Sequence, residues 1–282
     1  MKTIVSSFAK IAFFCTVCAG GVLSGTVTAQ AEFKKKPKLF VQITIDQLRG
    51  DLPYRYRDRL SKNGFRYFMD NGIVYRNAHH NHANTETIVG HVTLATGATP
   101  SIHGMVGNVW LDRASGELTY NIEDPRYPIL GSNAGVDRTN EIDHTQNAAR
   151  SDGRSPSRIL TSTFSDELNL TLGGNGKIFG VSVKDRGAVS MAGHTGKAFW
   201  FSKSNAEFVT SSFYYDEYPA WVGDFNRADP VARFENTSWE LLGDQSSYLF
   251  SNRDDRPFET ALPGFGRVFP HPYGARADKY FT

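Results

Sequence analysis

The chain has 282 residues, 40% of them hydrophobic and 21% charged, with two cysteines and a formal charge of +2. That is the composition of an ordinary globular protein, long enough for one large domain with a substantial core. A charge so near neutral excludes the basic field with which proteins hold nucleic acid or anionic membranes. Residues 1–31 read as a secretory signal: Lys2 and Lys10 are basic, 11–27 is apolar and small, and Ala29-Gln30-Ala31 is an A-x-A cleavage site. Gly20, Gly21, Ser24 and Gly25 break up the apolar run and make it short for a membrane span. The expected mature chain, 32–282, is therefore periplasmic or secreted, with no stable membrane insertion. Cys15, Cys18, Lys2 and Lys10 all leave with the signal, so the mature chain has no net formal charge, no disulfide and no thiolate ligand.

Residues 39–45, Leu-Phe-Val-Gln-Ile-Thr-Ile, are a β-forming apolar run that predicts a strand and stops on Asp46. In an open α/β sheet, ligands collect outside the carboxyl ends of the strands, so Asp46 is either a metal ligand or a turn residue. Helical spacing over 54–71 ends at Gly72, and Ile73-Val74-Tyr75 predicts a second strand. His79, His80 and His82 then crowd one loop and read as solvated rather than ligating. Thr87 opens the helical run 88–94. A hydroxyl there is an N-cap or, among the free N–H groups of a helix N-terminus, part of a phosphate seat. Asn108 leads into a hairpin over 108–119, and 132–157 is polar enough to predict a long surface loop containing Asp143-His144. A helix over 157–170 and a strand over 178–183 follow, the strand ending on Lys184-Asp185-Arg186. A second hairpin is expected over 198–215, with aromatic residues that pack rather than stack on bases.

Asp46, Thr87, Asn108, Lys184 and Arg186 together supply a metal-binding carboxylate, a hydroxyl nucleophile, a neutral donor and two cations. Phosphoryl transfer asks for this set, because charge on the transferred group must meet preorganised donors and the hydroxyl must be activated. Four motifs carry a resemblance: Ile45-Asp46-Gln47, the run Thr85-Glu86-Thr87-Ile88-Val89-Gly90-His91, the segment from Pro100 to Asn108, and Val183-Lys184-Asp185-Arg186. In order and spacing they resemble the alkaline phosphatase superfamily, and within it the PafA-type bacterial phosphate-monoester hydrolases. The resemblance implies an α/β fold with a mainly parallel sheet flanked by helices, two zinc ions and small phosphate esters as substrates. It makes Thr87 the nucleophile, passing through a phosphothreonine, and Asp46 and Thr87 ligands of one zinc. Asn108, Lys184 and Arg186 would hold the phosphate oxygens, so Asp46, Thr87, Asn108 and Arg186 are expected to converge on one pocket. His91 would be structural, and Asp185 would point away because neighbours on an extended segment alternate sides.

The chain departs from that pattern in its metal ligands. The implied zinc site needs further aspartates and histidines after Arg186, yet only His194 and His271 follow, neither with a suitably spaced Asp. Asp143-His144 lies upstream and reads as a surface pair. Residues 262–282 resemble the lead into the second half of the family's catalytic domain, so 32–282 reads as the N-terminal part of a longer enzyme. Three functions compete: a phosphate monoesterase, a phosphodiesterase or nucleotide pyrophosphatase of the same superfamily, and a catalytically inactive phosphate-binding fragment. Lys184 and Arg186 favour the first over the second, because a terminal phosphate carries one more charged oxygen than a diester. The missing downstream ligands favour the third for this chain as it stands.

Overall fold

The computed structural model describes residues 37–131, 135, 141, 143–248, 253–261 and 264–274. The expected signal segment and cleavage site lie outside these residues. Contacts divide the chain after Ile43. In the first unit, residues 37–43 carry no regular structure, and Leu39, Phe40, Val41 and Ile43 are exposed. The strand expected over 39–45 is therefore not formed. A β-forming run holds strand geometry only when a neighbour supplies lateral hydrogen bonds, so propensity alone does not make one. No helix among the described residues is long and apolar enough to cross a membrane.

The second unit begins with short helices. The helix expected over 54–71 is broken into α1 (Leu52–Arg55), a 3-10 turn (Arg57–Arg59) and α2 (Phe65–Asn71). Gly64 separates the last two with a φ of +69°, a conformation that side chains rarely adopt. Gly72 does end α2, though by close approach rather than a left-handed cap: its φ is −106°, and a Cβ there would sit 2.7 Å from the Phe68 carbonyl oxygen. The strand expected at 73–75 is absent, and Ile73, Val74 and Tyr75 are exposed. Helix α3 (Thr87–Thr96) forms as expected, with Ile88, Val89 and Val92 fully buried along one stripe. After α4 (Pro100–His103), β1 (Val109–Asp112) and β2 (Glu117–Tyr120) make the expected antiparallel hairpin. Asp112 Oδ1 accepts the N–H groups of Ala114 and Ser115 and so closes its turn.

Four strands make the main sheet, in the order β3 (Ile129–Leu130), β6 (Glu207–Ser211), β5 (Lys197–Ser202), β4 (Phe179–Ser182). The sheet is mixed rather than mainly parallel: β4 pairs parallel with β5, while β5–β6 and β3–β6 are antiparallel. The tight turn at 203–206 decides this, since a short connection can only reverse the chain. Helix α7 (Asp185–Ala192) crosses over from β4 to β5, packing on both strands and on α3. Its contact with β4 depends on Gly180, where a Cβ would lie 2.4 Å from the Ala188 carbonyl oxygen. Ala188, Val189 and Ala192 meet Ile88 and Val92 in a single core cluster with Tyr120, Trp200 and Val209. The aromatics of β5 do pack, with Phe199 edge-on to Trp221 of α8 (Ala220–Arg227) at 5.2 Å.

Two expectations between the hairpins need correction. Residues 143–157 are not a surface loop: they contain α5 (His144–Asn147), and Gln146, Ala149, Arg154 and Ser155 are buried. Residues 132–134, 136–140 and 142 of the expected loop lie outside those described. Helix α6 (Phe164–Thr171) starts later than 157, because Thr163 and Asp166 form a reciprocal capping box that fixes its first turn. A small antiparallel pair, β7 (Ser238–Trp239) with β8 (His271–Pro272), completes the described structure.

Candidate active site

The site is built on the first turn of α3. Thr87 is its first residue, and its hydroxyl donates to Asp46 Oδ2 at 3.3 Å. Asp46 is itself followed by a left-handed Gln47 (φ +56°), whose N–H donates to Asp46 Oδ1 at 3.0 Å. Asn108 closes the other side, accepting the Ile88 N–H on Oδ1 at 3.1 Å. Only the amide oxygen can accept, so this bond fixes the orientation of the carboxamide and leaves Nδ2 as the donor end. Asn108 Nδ2 is therefore a neutral donor on the residue that bonds the second N–H of α3.

Two residues not singled out from the sequence hold this arrangement. Glu86 accepts the Asn108 N–H at 2.5 Å, and Asn84 donates to the Val106 carbonyl at 2.8 Å while accepting the Glu86 N–H at 3.3 Å. They lace the segment before Thr87 to the segment before Asn108. Their signal was present in Asn84-Thr85-Glu86-Thr87, where polar residues precede a helix; what was hidden was their long-range partner.

Lys184 and Arg186 form a second cluster, at the N-terminus of α7. Both bond one carboxylate oxygen, Asp143 Oδ2, at 2.7 Å and 3.0 Å respectively. Asp143 is thus no surface pair with His144 but a largely buried counter-ion for the two cations. Burial opposes its charge, yet hydrogen bonds from Lys184 and Thr145 hold its pKa far below the usual carboxylate range. Burial likewise opposes the charge on Arg186, but Tyr120 and Asp143 outweigh it and raise its pKa. Helices α3 and α7 pack against each other. Hydrogen bonds thus bring Asp46, Thr87 and Asn108 onto the first turn of α3, while Lys184, the N-cap of α7, and Arg186 meet on Asp143.

Asp185 does take different partners from its neighbours, for another reason than strand alternation. Helix α7 begins at this residue, which turns its side chain into the core. There it accepts from Tyr120 Oη at 2.7 Å, Gln146 Nε2 at 3.2 Å and Arg154 Nε at 2.6 Å. Arg154 also lies 5.0 Å from the Tyr120 ring centroid, and both are essentially inaccessible to solvent.

Several of the histidines have structural partners. His91 Nδ1 bonds the Thr87 carbonyl at 2.8 Å within its own helix, which agrees with a structural role. His79 and His80 are exposed, whereas His82 is not simply solvated: Thr93 Oγ1 links His82 Nε2 at 3.1 Å to buried His103 Nε2 at 3.0 Å. Burial, followed by repulsion from His82, lowers the His103 pKa. His194 bonds Asp166 at 2.8 Å, and His271 stacks on Phe265 at 4.5 Å. Among the described residues no group of three or more His, Cys, Asp and Glu is placed to hold a metal ion. Catalytic zinc takes three protein ligands and keeps one open position, so the two oxygens of Asp46 and Thr87 do not by themselves fit the implied centre.

Residues 40–257 match the type I phosphodiesterase / nucleotide pyrophosphatase family. The chain is 34% identical over 262 residues to alkaline phosphatase PafA of Elizabethkingia meningoseptica, covering 92% of this chain and 45% of that protein. It is 32% identical over 235 residues to a protein of Myroides odoratus named calcium-transporting ATPase, covering 83% of this chain and 40% of that one. The crystal structure of wild-type alkaline phosphatase PafA superposes with a TM-score of 0.71 at 32% identity, over 83% of this chain and 42% of that chain. The fold is thus alkaline-phosphatase-like, and the chain spans less than half the length of these relatives. The chain belongs to the type I phosphodiesterase / nucleotide pyrophosphatase family, within the alkaline phosphatase superfamily.

Proposed function

We propose that the chain carries the nucleophile and the oxygen-binding groups of a phosphate-monoester hydrolase. Thr87 Oγ1 attacks phosphorus in line as its proton passes to Asp46 Oδ2. The bond from phosphorus to the leaving oxygen breaks, that oxygen takes a proton from water, and a phosphothreonine forms that water later hydrolyses. Asp46 orients the hydroxyl through the hydrogen bond it accepts. Asn108 Nδ2 donates to one non-bridging oxygen, and Lys184 and Arg186 meet the oxygens that carry full charge, which a preorganised site stabilises without reorganising. The observation that carries this function is the meeting of Asp46, Thr87 and Asn108 on the first turn of α3. Relatives named alkaline phosphatase support it, and small phosphate esters are the proposed substrates.

Metal dependence is part of the proposal, since the relatives' activity implies it. Asp46 and Thr87 are two of the donors that a zinc site would use. The described residues supply no third. A phosphodiesterase or nucleotide pyrophosphatase, the activity in the family's description, is the second possibility, and the cation pair argues against it on charge. The experiment is hydrolysis of an aryl phosphate by the purified chain with zinc supplied, for wild type and Thr87→Val. Because the described residues supply only two zinc donors, little turnover is expected from the chain. Whatever turnover occurs should vanish in Thr87→Val; turnover that survives the substitution would remove Thr87 from the chemistry.

A further inference from the structure

Lys184 and Arg186 already hold an anion supplied by the chain itself. Asp143 Oδ2 accepts from Lys184 Nζ at 2.7 Å and from Arg186 Nη1 at 3.0 Å. Its other oxygen, Oδ1, accepts from the Thr145 N–H at 3.0 Å and the Thr145 hydroxyl at 2.6 Å. That hydroxyl oxygen in turn accepts from Arg186 Nη1 at 3.1 Å. The carboxylate is therefore fixed from both ends, by its own turn and by the two cations. Its side chain is 11% exposed and that of Arg186 is 4% exposed, so water screens this contact less than it would a surface pair. Arg186 Nε is buried and makes no hydrogen bond, so the guanidinium still has a donor to satisfy.

We propose that Asp143 is a positioning residue for the phosphate seat: it holds Lys184 and Arg186 at a fixed spacing and tempers their attraction, so that phosphate is released as well as bound. The proposal rests on Lys184 and Arg186 being phosphate-binding, as inferred above. Two cations at this separation repel one another, and a single carboxylate oxygen between them removes that repulsion. It also leaves the cluster with one net positive charge instead of two. A phosphate dianion entering the seat meets the same two cations and is repelled by Asp143 across a few ångströms. Asp143 thus lowers the seat's affinity while holding its geometry.

The test is calorimetric binding of inorganic phosphate to the full chain, for wild type, Asp143→Asn, Asp143→Glu, Asp143→Ala and Lys184→Ala, with thermal unfolding recorded for each. Asparagine keeps the shape and the Thr145 contacts but removes the charge, so the phosphate Kd is expected to fall about tenfold at low salt. That gain should shrink as salt is added. Asp143→Glu restores the charge and should return the Kd toward wild type, and Asp143→Ala reads the same direction as Asn should the Asn variant fail to fold. Binding that appears only once Asp143 is neutralised also supports the proposal. Unchanged or weaker phosphate binding in Asp143→Asn and Asp143→Ala overturns it, whatever happens to the unfolding temperature. Binding that depends on Lys184 but ignores Asp143 removes this inference alone, whereas no binding by any variant removes the phosphate seat with it.

Discussion

The Thr87 hydroxyl donates to Asp46 across 3.3 Å, although 41 positions separate the two residues in the chain. On the far side of Thr87, Asn108 accepts the next backbone N–H of the same helix turn. One turn of α3 thus holds a carboxylate on its first hydroxyl and a carboxamide on its next N–H.

The carboxamide has two separable duties, and Asn108→Asp divides them. A carboxylate still accepts the Ile88 N–H, so the fold should persist, less stable because the added charge is buried near Glu86. It has no hydrogen to donate and brings a negative charge, so phosphate affinity should fall at least about tenfold. Unchanged phosphate binding would show that Nδ2 does not face the anion.

Asp185 is the centre of the buried polar network. Asp185→Asn would take from the Arg154 guanidinium, 1% exposed at its side chain, the carboxylate it hydrogen-bonds. Removing one partner of a buried ion pair costs about 3–5 kcal/mol, a large share of the about 5–15 kcal/mol that holds a domain together. The urea midpoint should fall sharply and take phosphate binding with it, because α7 carries Lys184 and Arg186 at its start. A midpoint within error of wild type would show that the network is not needed for stability.

His194 should make stability depend on pH. Its Nδ1 faces Asp166 and its Nε2 faces the Ile159 carbonyl, so only the doubly protonated ring donates to both. The hydrogen bond to Asp166 raises its pKa above the ordinary 6.5, against the opposing effect of burial. A raised folded pKa gives stability that is complete below about pH 6.5 and lost as pH rises through the higher folded value. Asp166 works in the opposite sense: burial would raise its pKa, but His194 and Thr163 depress it. Its share is present above the ordinary carboxylate pKa and lost as pH falls. Urea unfolding of wild type and His194→Gln should differ most below about pH 6.5 and converge at higher pH. A gap that widens with pH would contradict the assignment.

Local chemistry was legible in the sequence, and long-range pairing was not. Thr87 opening a helix, Asp112 closing a hairpin and Lys184 following strand 178–183 each announce themselves within a few residues. Residues 39–45 announce a strand just as clearly and form none, because strand geometry is a property of two chains side by side. The partners of Asp143 and Asp185 are hidden from the local sequence for a related reason. Asp143 finds its partners 41 and 43 positions away, and Asp185 finds Tyr120 65 positions away, so nothing beside either residue reveals its role. Strand alternation was also extended one residue too far, past the point where α7 begins.

Charge on the ligand separates the two candidate activities. Lys184→Ala and Arg186→Ala should each weaken binding of inorganic phosphate by about tenfold to a hundredfold, the effect of losing one charged hydrogen bond. Dimethyl phosphate, a monoanion, should lose much less. Equal losses for both ligands would remove the reason for preferring a monoesterase over a diesterase.

The central claim is that Thr87 accepts the phosphoryl group, and the most direct measurement is to locate it. The chain is incubated with an aryl phosphate and zinc, quenched in acid, digested and mapped by mass spectrometry. A phosphoryl group on Thr87, absent from Thr87→Val and reduced in Asp46→Ala, is the predicted result. A phosphoryl group on Thr85, or labelling that persists in Thr87→Val, would contradict it.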